Sequence, residues 1–169
     1  MLSNRNDDLL QRDADIAVRM MRPTQKALVA RRIGEVRSGL FAHRRYIEAF
    51  GMPQSLDRIT GRRTIGFDRD MYVIRTAGRP VAHLLLERFN FRCDSVPAQM
   101  AALRAGLGIA ACHMRVAERD PDLVPVFADI FSVAVEAWLV MHEDAKATQR
   151  IRLLYDHLAN ELSIYVRGK

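Results

Sequence analysis

The apolar residues of this chain recur with two different periods. Short runs bounded by charge, glycine or proline predict strands over Ala14 to Val18, Leu28 to Gly34, Ser38 to His43, Thr64 to Phe67, Gly108 to Cys112, Leu123 to Phe127 and Val133 to Met141. A further extended stretch is expected from Val81 to Phe91, and a turn of helix over Asn6 to Leu10. Pro125 places its strand at a sheet edge, because proline has no N–H to give to a ladder. Three segments carry helical signals. Arg44 to Phe50 stops at Gly51 with Pro53 just beyond. Asp94-Ser95-Val96-Pro97 offers cap residues and a first-turn proline to a helix that runs through Met100 and Leu103 to Gly106. Ile151, Leu154, Leu158, Leu162 and Tyr165 line one face of a final helix of about five turns. Strands alternating with helices over most of the chain define an α/β architecture.

Composition narrows the class. At 169 residues and 49% apolar content the chain buries enough surface for one ordinary domain or two small lobes, which excludes disorder as a description of the whole. Its two cysteines, Cys93 and Cys112, form no CxxC and join no ligand cluster, so a reducing, cytoplasmic setting is expected. No apolar run reaches the roughly 18 residues of a membrane span, and the first residues lack the apolar core of a signal peptide. Charge is distributed unevenly: residues 1 to 63 hold 13 Lys and Arg against 7 Asp and Glu, whereas the remainder balances at 13 and 13. Such an excess permits attraction to nucleic acid or to a small anion, although an arginine-rich solvated surface is the more ordinary reading.

Catalytic patterns are absent from the sequence: there is no GxSxG elbow, no Walker loop, no HExxH and no GxGxxG after a strand. His43, His83, His113, His142 and His157 are scattered at spacings that suit no common metal site, so no metal, no cofactor and no enzymatic activity are expected. Cys93 lies just ahead of a helix start, where the positive end of the dipole lowers a thiol's pKa. Two features say more. The helix start at Asp94-Ser95-Val96 can offer backbone N–H groups to a carboxylate or phosphate, with self-capping by Ser95 as the plain alternative. The strand Ser38 to His43 delivers His43, Arg44 and Arg45 at its carboxyl end, where open α/β sheets bind ligands, with two solvated arginines as the alternative. Gln99 to Glu118 can be forced into a helix-turn-helix, but Gly108 to Cys112 looks like a buried strand and argues against it.

In combination these blocks resemble a known family. Asp13 to Arg19, Leu28 to Gly34, Gly39 to Ile47 with Gly51-Met52-Pro53, Met100 to Ala110, Asp122 to Val126 and Ala137 to Glu143 with the last helix are similar, in order, to the effector-binding domain of LysR-type transcriptional regulators. The resemblance implies a two-lobed fold like that of type 2 periplasmic binding proteins, with a small effector in the cleft between lobes. The second lobe is expected over residues 38–140, and an incomplete first lobe over 1–37 and 141–169. By position, Asp94, Ser95 and Val96 match the loop that offers its helix N-terminus to the effector. Ala42 and His43 match the first strand of the second lobe where it faces the cleft, and Arg19 and Met20 lie just past the first lobe's strand.

Departures from the family pattern set further expectations. The family's winged helix-turn-helix, linker helix and opening strand and helix have no counterpart, so the chain is expected to be truncated and not to bind DNA directly. Cys112-His113 stands where the family often has Leu-Pro. An incomplete first-lobe sheet leaves an open edge, which predicts self-association or pairing with a full-length relative. The expected role is effector sensing and oligomerisation, with the basic excess favouring an anionic effector such as a small organic acid. A solute-binding protein serving transport is the rival reading, and the missing signal peptide counts against it.

Overall fold

The computed structural model describes residues 14–55, 59, 62–69 and 89–168. The expected helical turn at Asn6 to Leu10 and most of the extended stretch from Val81 lie outside these residues. The chain divides into two compact units, one holding the residues through Val36 and those from Val135 onward, the other Arg37–Ala134.

In the first unit, β1 (Ile16–Arg19) pairs antiparallel with β7 (Val133–His142), and β7 neighbours the first half of β2 (Leu28–His43). A 3-10 turn at Glu143–Ala147 leads into α4 (Gln149–Arg167). Helical spacing brings Tyr155 and Ala159 of α4 onto Ile33, Ala137, Leu139 and Met141 of the strands, with Ile151, Leu158, Leu162 and Val166 completing the contact. Full burial of a side chain such as Leu139 or Met141 contributes roughly 1.5–3 kcal/mol, and the alanines and partly buried residues less. Gly34 lets the end of α4 approach: its φ is +154°, and a Cβ there would sit 2.6 Å from a methyl of Val166. Tyr155 donates its hydroxyl to the Leu139 carbonyl at 3.1 Å, which satisfies a buried polar group. The helix ends at Gly168, left-handed with φ 75°.

The second unit has three layers. The later half of β2 pairs antiparallel with β5 (Ile109–His113) on one side and β6 (Leu123–Val126) on the other, and β5 continues in parallel to β3 (Thr64–Gly66) and β4 (Phe91–Arg92). Period-two alternation sends Leu40 and Ala42 to one face with Tyr46, Ile109, Val126 and Phe131, and Phe41 to the other with Ala110, Cys112, Leu103 and Ala117. The helices α1 (Arg44–Phe50), α2 (Val96–Arg104) and α3 (Met114–Ala117) connect these strands. Gly106, left-handed with φ 73°, closes α2: its N–H reaches the Leu103 carbonyl at 3.0 Å while that of Leu107 reaches Ala102 at 3.0 Å. Pro125 faces Phe41 on β6, a strand that among the described residues pairs with β2 alone, so its missing donor costs the ladder nothing.

One expectation needs correction, and the reading of Gly108 to Cys112 as a strand is borne out. The separate strands expected at Leu28 to Gly34 and Ser38 to His43 are one strand of 16 residues. Exposed Glu35 and Arg37 flank buried Val36, an alternation that continues the strand rather than breaking it. The stretch Gln99 to Glu118 is not a helix-turn-helix, because β5 intervenes and α3, which the sequence pattern did not reveal, has only four residues.

Candidate ligand-binding site

Strands β3, β4 and β5 run parallel in the second unit, so their carboxyl ends share one end of the sheet. Register places Gly66 beside Arg92, and His113, at the end of β5, opposite Ser38 of antiparallel β2. At this end the chain leaves β4 through Cys93, Asp94 and Ser95 and enters α2. The Cys93 N–H donates to the Gly66 carbonyl at 2.9 Å, and the buried Gln99 side chain donates to the Cys93 carbonyl, so the turn is held on both sides. The Ser95 hydroxyl accepts from Ala98 N–H at 3.4 Å, a long cap bond, and its backbone N–H points to Cys93 Sγ at 3.4 Å. Val96, half exposed, is the first helical residue, and among the described residues nothing accepts from its N–H.

Asp94 does not face outward as a free carboxylate. Its Oδ1 accepts the N–H of Asp68 at 2.9 Å and of Arg69 at 3.0 Å, which ties the segment after β3 to the start of α2. Arg69, whose side chain is almost fully exposed, thereby joins this end of the sheet. Ser38 and His113 are register partners and share by alternation the sheet face of Leu40, Ala42 and Ile109, opposite the face that α2 covers. Burial holds the His113 imidazole below the ordinary histidine range and pushes the Cys112 thiol up to about 11. The helix start offers a backbone N–H of the kind that receives an anion, and the Arg69 guanidinium, 3.6 Å from the Asp68 carboxylate, belongs to the segment tied to it.

The other expected residues lie elsewhere. Ala42 pairs with Ile109, the first residue of β5, so Ala42 and His43 stand at the opposite end of the sheet from Asp94, Ser95 and Val96. The antiparallel course of β2 is the reason: its carboxyl end meets the amino ends of its parallel neighbours. Ala42 is fully buried in the core, and His43 caps α1, its Nδ1 accepting from Arg45 N–H at 3.1 Å while Nε2 lies 3.9 Å from Asp122. Arg19 and Met20 belong to the first unit, where Arg19 pairs with Trp138 and Met20 packs on the core. Beside them Arg22 stacks 5.5 Å from the Trp138 ring centroid, and the Trp138 indole N–H donates to Glu136 at 3.2 Å. Arg69 carries no signal in the sequence, because only the Asp94 bonds bring its segment to the helix start. Among the described residues no group of three or more His, Cys, Asp or Glu could hold a metal ion, and no helix is long and apolar enough to cross a membrane.

A strand-sharing pair of α/β units with a helix start at the carboxyl end of a parallel sheet defines the type 2 periplasmic-binding-protein-like class of ligand-binding domain. Residues 3–163 match the LysR substrate binding domain, and the chain belongs to that family. It is 35% identical over 72 residues to an HTH-type transcriptional regulator of Xanthomonas campestris pv. campestris (strain 8004), a match that spans 43% of this chain and 21% of that protein. Among solved structures it is similar to the regulatory domain of CrgA, a LysR-type transcriptional regulator from Neisseria meningitidis, with 24% identity, 95% of this chain and 81% of that one covered, and a TM-score of 0.83. It is also similar to full-length AphB, the Vibrio cholerae virulence activator, with 23% identity, coverage of 100% and 57%, and a TM-score of 0.67. The effector domain of AmpR of Pseudomonas aeruginosa superposes with a TM-score of 0.70 at 16% identity, covering 95% and 78%.

Proposed function

We propose that this chain is the effector-sensing part of a LysR-type transcriptional regulator, working in the cytoplasm within an oligomer, and that its effector is a small anion such as an organic acid. The observation that carries this reading is the start of α2, where the unaccepted Val96 N–H stands at the carboxyl end of the parallel strands beside the Arg69 segment that Asp94 ties to it. Aligned peptide dipoles place partial positive charge there. The basic excess of the first 63 residues favours the same sign of ligand. Asp94 and Ser95 shape the site by holding its turn; Val96 contacts the ligand through its backbone. A ligand of this kind acts only through its difference in affinity between two arrangements of the regulator. Transcriptional output follows from that difference.

Thermal-shift measurements against a panel of small carboxylates, neutral molecules and cations test the proposal. A carboxylate is expected to raise the midpoint. Val96→Pro removes the N–H at a helix position that suits proline, so this variant is expected to fold normally and lose the shift. Stabilisation by neutral or cationic compounds alone, or a carboxylate shift that survives in Val96→Pro, would overturn the reading.

A further inference from the structure

The far end of the second unit, away from the helix start of α2, carries charge and apolar surface that the ligand site does not use. Phe50, the last residue of α1, is 45% exposed, as is Met52 just beyond the helix. The Arg62 guanidinium donates to the Phe50 carbonyl, and that of Arg63 stacks 5.4 Å from the Phe50 ring centroid. Arg63 is fixed from behind, since its N–H donates to the Tyr46 hydroxyl at 3.1 Å and its carbonyl accepts from Ile109 at 2.9 Å. Leu107, 38% exposed, lies between two glycines that touch this group. A Cβ on Gly106 would stand 3.9 Å from that of Arg45, and one on Gly108 would run into the Arg63 backbone. Arg45, Leu107, Arg63, Phe50, Arg62 and Met52 therefore form one patch.

Among the described residues, charge at this end is unbalanced. Asp122 is paired with Arg44 at 2.8 Å and Asp120 with Arg104 at 2.8 Å, while Glu48 of α1 stands exposed. Among the described residues none of the guanidinium groups of Arg45, Arg62 and Arg63 meets a carboxylate. We propose that this patch docks a partner protein through an acidic segment that carries apolar residues among its carboxylates. Guanidinium groups take carboxylates as bidentate forks, and the contact with Phe50 holds one fork in place before binding. Three exposed large apolar side chains set among the arginines favour protein over nucleic acid, whose interfaces are more polar and more uniformly basic. A second copy of this chain presenting the same patch would bring like charges together.

The test uses the whole chain and a fluorescein-labelled synthetic peptide of three Glu-Asp-Phe-Glu-Leu repeats, read by anisotropy at an ionic strength of about 50 mM, where charge screening is modest. Saturable binding is expected, weakened about tenfold in Arg45→Glu/Arg63→Glu, whose exposed positions leave the fold intact. A second peptide with Gln in place of Phe and Leu is expected to bind about tenfold more weakly than the first. The proposal is overturned if the first peptide does not bind, if the two peptides bind alike, or if the charge reversals leave binding unchanged. It is also overturned if a 20-base-pair duplex competes as well as the peptide, or if sedimentation shows the reversals dissolving a dimer.

Discussion

The Asp94 carboxylate holds the backbone N–H of Arg69 through both oxygens, at 3.0 and 3.2 Å, between segments 25 positions apart in sequence. Charge-assisted bonds of this kind contribute about 1.5–3 kcal/mol each when protected, less where water competes. Asp94→Ala is expected to speed amide exchange at Asp68 and Arg69 by about tenfold or more while lowering global stability by only about 1 kcal/mol. Asp94→Asn retains one acceptor and falls between. Unchanged exchange at both amides would show that the loop holds itself.

Gly34→Ala places a methyl where Val166 already stands. The variant is expected to lose about 1–3 kcal/mol in urea unfolding, from overpacking together with the cost of a positive φ. Gly34→Ala/Val166→Ala relieves the clash but not the backbone strain, so the double loss is expected to be smaller than the sum of the two single losses. Additive losses would remove the clash as the cause.

The Tyr155 hydroxyl is the buried donor to the Leu139 carbonyl. Tyr155→Phe keeps the packing and orphans that acceptor's bond, so a loss of about 1 kcal/mol is expected. An unmoved denaturation midpoint would contradict it.

Burial lowers the pKa of His113 from its ordinary value of 6.5, so below that pH the unfolded chain binds a proton that the folded chain resists. The His113 contribution is therefore fully present above about pH 6.5, declines as pH falls through 6.5 and levels off below the folded value. His113→Gln is expected to flatten the stability curve in that window. Arg104 holds Asp120 below its ordinary range, and the stability linked to that carboxylate is lost at a lower pH, near and below 3.8. The two effects separate on one titration. A curve of the same slope in His113→Gln would assign the acid loss elsewhere.

The two thiols are expected to differ in reactivity. Cys112 is buried and its thiol is pushed up to about 11, whereas Cys93 is only partly buried at the turn into α2. Iodoacetamide at pH 8 should label Cys93 at least about tenfold faster than Cys112, as mass spectrometry of the folded protein will report. Equal rates would show that the core around Cys112 opens.

Elements with strong local signals were legible in the sequence. Ser95 and Pro97 mark the start of α2, Gly51 ends α1, and the spacing from Ile151 to Tyr165 marks α4. The length of β2 is not legible locally, because Gly34 with charged Glu35 and Arg37 interrupts the apolar run while the strand alternation continues through buried Val36. The site was legible only in part. The α2 start follows from cap chemistry, which is local. Which residues share its end of the sheet depends on strand direction, and nothing near Ala42 or His43 in sequence reveals that β2 runs against its neighbours. Arg69 reaches the site through a carboxylate 25 positions away, a relationship with no periodic trace.

Pro125 bears on how this chain can meet others. Facing Phe41 without a donor of its own, it leaves β6 complete toward β2 and interrupts the row of N–H groups along the outer side of that strand. A sheet border with a gap in its donors is a poor template for an incoming strand, so the second unit resists backbone-to-backbone aggregation there. Contacts at that border then depend on side chains, whose identity can be selective in a way that a bare peptide ladder cannot.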